Sequence, residues 1–112
     1  MSTITATSAD TTTYTLTSQL TAVKAHHPPV TTLGFSSNLE IGTVENSVIP
    51  GFGTNLFFAA LSAQDLQAMT CLAGAALAQQ GEATIQYQVI DTGSASVAKI
   101  LAFGYDGKVV KD

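Results

Sequence analysis

Between Leu66 and Gly81 the chain carries no charged residue, yet the segment around this gap is marked as a helix. Ser62 supplies a capping hydroxyl. Asp65, three residues on, completes a capping-box pattern and sets a negative charge at the positive end of the helix dipole. Leu61 before the cap and Leu66 at the fourth helical position have the spacing of a hydrophobic staple. Gly81 reads as the stop, the left-handed residue that closes the last turn. The spacing predicts a helix over 62–80, about 28 Å long. At roughly 100° per residue, Leu66, Met69, Leu72, Ala73, Ala76 and Leu77 share its inward face.

The opposite face offers Gln67, Ala68, Cys71, Gly74, Ala75, Ala78 and Gln79. A surface helix ordinarily shows charge there, and one that is apolar or small all round is covered on both sides. A chain of 112 residues holds one core and not two. The inner face takes that core, so the outer face is expected to meet another subunit in a closed homo-oligomer. Gln67, Cys71, Ala75 and Ala78 are the expected interface.

The rest of the chain reads as strands. Residues 1–13 are rich in Ser, Thr and Ala without an apolar period, and are expected to form a flexible N-terminal arm. From Tyr14, apolar Leu16, Leu20 and Ala22 alternate with Thr15, Thr17, Gln19 and Thr21, the pattern of a half-buried strand. It is expected to end at His26-His27-Pro28-Pro29, where two prolines remove donors from any central ladder. A second strand is read over Leu33, Phe35, Leu39 and Ile41, with Gly34 and Gly42 as bulges or bends. Pro50 to Gly53 reads as a loop, and Asn55 to Leu61 as a short apolar strand before the helix. After it, Ile85, Tyr87 and Val89 alternate with polar residues. A loop over Asp91 to Ser96 leads into Val97–Tyr105, and Asp106-Gly107 reads as a tight hairpin turn into Lys108–Val110.

The order is therefore β-β-β-α-β-β with a short last strand, in one α+β domain over 14–112. Three strands, a helix and two strands is the order of the five-stranded OB barrel, so an OB-like small antiparallel β-barrel is expected. An open antiparallel sheet with the helix on one face fits the same periodicity. The stretch SNLEIGTV…LFFAALSAQDLQAMTCLAGAALAQQGEATIQYQV, over residues 37–89, resembles the core of OB-fold B subunits of bacterial AB5 toxins, particularly the subtilase-cytotoxin type. That resemblance implies a secreted, glycan-binding pentamer, usually disulfide-bonded. It is one of pattern and carries over no binding residue.

Composition narrows the function classes. The net charge is −4 and lysine supplies all four positive side chains, at 24, 99, 108 and 111. Nucleic-acid binding draws most of its affinity from cations that displace counterions, and anionic membranes attract proteins in the same way, so neither partner is expected. No stretch approaches the roughly 20 apolar residues of a membrane span. Residues 1–17 lack a basic start and an apolar core, so no signal peptide is expected. Cys71 is the single cysteine, which leaves no intrachain disulfide.

Few residues suggest chemistry. His26 and His27 are adjacent, so on an extended chain they point to opposite sides and do not share a metal. They read either as a loop pair that contacts a ligand or subunit, or as a solvated turn before the prolines. Glu40 lies inside an apolar strand and reads either as a carboxylate facing a ligand sugar or partner donor, or as an outward strand residue in water. Cys71 has no cation within a helical turn to make it a thiolate, so a small contact residue is the plainer reading. No nucleophile elbow, phosphate loop or zinc motif occurs, and no cofactor or metal is expected. Among the aromatics, Phe52, Phe57, Phe58, Tyr87 and Phe103 could form a stacking platform, but most are expected in the core. The chain reads as a non-enzymatic binding module that recognises a glycan or a cell-surface receptor. The alternative is a structural or assembly protein of a phage or secretion machine.

The charge argument has a direct check. Fluorescence anisotropy with single-stranded DNA and RNA at physiological salt is expected to show no binding. A micromolar, steeply salt-dependent affinity would overturn the exclusion.

Overall fold

A computed structural model describes residues 12–49, 54–91 and 95–111. Residues 1–11 of the arm expected over 1–13, the Pro50–Gly53 loop, residues 92–94 and residue 112 lie outside the described residues. The elements are β1 (Tyr14–Val30), β2 (Ser37–Thr43), β3 (Leu56–Ala59), α1 (Ala63–Gln79), β4 (Glu82–Asp91), β5 (Ser96–Tyr105) and β6 (Lys108–Lys111). They form a small α+β domain, a six-stranded sheet with one helix between β3 and β4.

The strand order is β3-β2-β1-β4-β5-β6, all neighbours antiparallel, and β3 also pairs in parallel with β5. β1 serves two partners in turn. Tyr14 to Gln19 pair with Tyr87 to Glu82 of β4, and Leu20 to Val30 pair with β2. At the changeover Leu20 faces Thr43 and Ala22 faces Gly42, so Thr21 is an extra residue on β1. Such a bulge bends its strand. Gly42 is required there, because a Cβ would come within 2.6 Å of Thr21 Oγ1.

Two expected strand limits are corrected. β1 continues past His26 to Val30, because the prolines fall where the ladder is already irregular. Between the pairs Ala25–Leu39 and Val30–Ser37, residues 26–29 face Asn38 alone, and prolines are tolerated at such bulges. β2 begins at Ser37, so Leu33 and Phe35 belong to the β1–β2 loop, where Gly34 sits at φ 84°. The hairpin turn is as read: Asp106 (φ 53°) and Gly107 (φ 76°) join Tyr105 to its partner Lys108. Positive φ at both central positions is the type I′ signature.

The core fills the space between the sheet and α1. Leu39, Ile41, Phe57, Ile100 and Phe103 are sealed from solvent, and the helix contributes Met69, Ala73 and Ala76. Leu66, Leu72 and Leu77 pack against them, so the inward face of the helix is the one its periodicity indicates. Tyr87 sits centrally, edge-on to Phe57 with ring centroids 5.1 Å apart and stacked with Tyr14 at 5.6 Å. Its hydroxyl accepts from the backbone N–H of Val48 at 3.0 Å, so the buried phenol is not left unpaired.

Ser62 caps α1 as its position predicts, its Oγ accepting from the N–H of Asp65 at 3.2 Å. The other end is a correction. The left-handed residue is Gln80 (φ 55°), not Gly81. Gln80 N–H donates to Leu77 O and Gly81 N–H to Ala76 O, the paired bonds of a Schellman motif. Glycine is needed one residue later for space: a Cβ on Gly81 would lie 2.5 Å from the Tyr105 hydroxyl. Tyr105 in turn donates to Gln79 Oε1, and Gln19 Nε2 donates to Gln80 O at 3.0 Å, tying the helix end to β5 and β1.

Ser62→Ala is expected to lower stability by about 0.5–2 kcal/mol, and Asp65→Ala by about 0.3–1 kcal/mol. Denaturant titration checks both, and unchanged midpoints would show that the cap does not hold the helix start.

Candidate functional site

The strand registers set one row of outward side chains across the sheet. Directly opposed residues share a face. Lys24 of β1 faces Glu40 of β2, Glu40 faces Phe58 of β3, Phe58 faces Lys99 of β5, and Lys99 faces Gln88 of β4. Their neighbours Leu39, Phe57 and Ala98 point into the core, so the row is fixed outward by the pleat. Phe58 therefore leaves the set of core rings. It is half-buried on the outer surface, while Phe57, Tyr87 and Phe103 are core; Phe52 lies outside the described residues.

His26 joins this row. Two residues beyond Lys24, it falls on the same face as Glu40, and its Nε2 lies 3.0 Å from Glu40 Oε1. The side chains are 26% and 17% exposed, so the pair is partly shielded and its geometry is restrained by the surrounding strands. His27 is not part of it. Alternation along an extended chain turns it to the side opposite His26, and it is exposed there because it stands in the irregular end of β1. The structure thus brings together two of the three residues singled out in the sequence.

Phe35, from the β1–β2 loop, completes the cluster. Lys99 Nζ stands 5.4 Å from the centre of its ring, within cation–π range. Two phenyl rings, a carboxylate, an imidazole and an ammonium thus share one stretch of the outer surface. Below it, Asn38 fixes β2 to the start of the helix segment. Its Nδ2 donates to Leu61 O at 2.7 Å and its Oδ1 accepts from Leu61 N–H at 3.0 Å. Such an arrangement suits a ligand with one apolar face and several hydroxyls: rings for the face, and charged groups for charge-assisted hydrogen bonds.

Sequence reasoning missed Phe35 and Lys99, and named Phe58 only among the rings of a possible stacking platform, most of them expected in the core. The signal for Phe58 was present, since adjacent Phe57 and Phe58 in a strand cannot both face inward. Phe35 gave no such signal, because its loop reads as strand by alternation.

The expected interface residues lie together. Gln67, Cys71 and Ala78 are exposed on α1 and Ala75 is half-buried. Ala68, Cys71, Leu72 and Ala75 of the helix, with Lys108 and Val110 of β6, line a shallow groove of about 340 Å³ between the two. Val109, on the same edge strand, is 61% exposed. Among the described residues no group of three or more metal-ligating side chains occurs, and no helix is long and apolar enough to cross a membrane. Comparisons with family models, with curated proteins and with solved structures gave no match.

Proposed function

We propose that the chain is a non-catalytic, self-associating binding module on an OB-type barrel, and that it recognises glycan, free or on a cell-surface receptor. The pairings support the barrel reading, since β3–β2–β1–β4–β5 returns to β3 through the parallel β3–β5 contact. OB folds bind oligosaccharides and oligonucleotides on the face of strands two and three, beside the loop between strands one and two. The His26–Glu40 pair, with Phe58 opposite Glu40 on β3 and Phe35 of the β1–β2 loop against Lys99, supports that reading and carries the proposal. The low content of cations separates it from the nucleic-acid binders of the same architecture. The resemblance of residues 37–89 to toxin B subunits points the same way.

A glycan array on the purified chain tests this reading. Retained glycans are expected, with Phe58→Ala and Glu40→Ala each weakening binding by about tenfold or more, the scale of interface hot spots. Both variants are expected to keep the wild-type circular-dichroism spectrum, since both side chains lie outside the core. A blank array, or binding indifferent to both changes, overturns the proposal.

Self-association rests on the uncharged outer face of α1. The same face favours a second reading, an assembly protein of a phage or secretion machine, which needs the contact and no glycan. A homo-oligomer is expected in solution by light scattering. Ala75→Arg is expected to dissociate it, because a charge buried in a close contact costs several kcal/mol without a partner. A wild-type monomer refutes self-association. An oligomer indifferent to the change would place the contact elsewhere, most simply on the edge strands near the His26–Pro29 turn.

A further inference from the structure

The inward positions of β4 change character along the strand. Ala83, Ile85 and Tyr87 are buried, Val89 is half-buried, and the next residue of the same parity is Asp91, exposed. Asp91 faces Ser96 at the start of β5. This is the end of the sheet away from α1. Tyr105, at the far end of β5, is the residue bonded to the helix, and Ser96 lies about 30 Å back along the strand. The helix seals one end with Met69, Ala73 and Ala76, and the other end holds a cavity of about 290 Å³. That is close to the roughly 300 Å³ at which small-molecule sites begin, and barrel mouths are a common place for them.

Tyr14, Val48, Ile49 and Val89 line this cavity, together with polar Thr12, Asp91 and Ser96. Tyr14 has one ring face against Tyr87 and is held by it. Val48 is 55% exposed although its backbone is anchored to the Tyr87 hydroxyl, so a large apolar side chain is fixed at the opening. Among the described residues no lysine or histidine lines the cavity, and the chain is acidic overall. A carboxylate has about four acceptor sites, so Asp91 can meet a ligand while keeping other contacts. A tyrosine face and a carboxylate beside apolar walls select a positive charge on an apolar body.

We propose that this mouth is a second binding site, separate from the Glu40 surface, for a small organic cation with an apolar ring or chain. Benzylamine and its neutral counterpart benzyl alcohol are the probes, titrated into the isotope-labelled 112-residue chain and followed by amide chemical shifts. Benzylamine is expected to give saturable shifts centred on Tyr14, Val48, Val89 and Ser96, and to bind at least about tenfold more tightly than the alcohol, the scale of one charged hydrogen bond. Asp91→Asn is expected to abolish that preference while leaving alcohol binding in place. Equal binding of the two probes, shifts centred elsewhere, or no saturable shift overturns the proposal. The wild-type comparison decides it even if Asp91→Asn does not fold. Glycan binding at Glu40 can fail or succeed independently of this result.

Discussion

The structure depends on β1 changing partners halfway along its length. Its first residues complete β4 and its later ones complete β2, so one strand joins the two parts of the sheet. A straight strand would carry both partners in one flat layer. The extra residue Thr21, pressed over the bare backbone of Gly42, supplies the bend. With β1 bent, β2 and β3 come round far enough for Phe57 and Phe58 to pair with Ala98 and Lys99 of β5. The core then has sheet on several sides, and Phe57, Tyr87 and Phe103 fill it.

The same bend builds the candidate site. Lys99 reaches Phe58 only because β3 and β5 meet, and Glu40 lies between Phe58 and Lys24 only because β2 is shared. His26 comes to Glu40 from the irregular end of β1, just before the prolines depart from the ladder. A candidate site made this way is sensitive to register. A slip of one residue in β2 would turn Glu40 inward and Leu39 outward. Asn38, bonded to both backbone groups of Leu61, resists such a slip and links the site to the start of α1.

The helix divides its work between two faces. Met69, Ala73 and Ala76 are small or flexible enough to lie flat against the sheet, and their burial supplies the packing that propensity alone cannot. Its outer face, with Cys71 and Ala75 over the groove beside β6, has neither charge nor bulk. The termini are fixed by hydrogen bonds rather than by charge: a serine hydroxyl at one end, a Schellman motif at the other. No basic residue lies in the last turn to offset the dipole, and the bond from Gln19 to Gln80 O serves that end instead.

What the sequence determined by itself is local. Ser62, Asp65 and the spacing of Leu66, Met69, Ala73 and Ala76 specify the helix, its start and its buried face, because capping and periodicity act within a few residues. Asp106-Gly107 specifies a hairpin for the same reason, and strict alternation specifies β4. Tertiary structure decided everything that pairs residues distant in the chain. Gly81 reads as a helix stop, but only the presence of Tyr105 shows that it is bare to make room and that Gln80 takes the left-handed turn. His26 and Glu40 are both visible as polar residues in apolar surroundings, yet only the β1–β2 register makes them partners. Phe35, Phe58 and Lys99 carry no local mark of a shared surface. Their meeting depends on the closure of β3 on β5, a contact between segments some forty residues apart, and periodicity along one strand holds no information about which strand lies beside it.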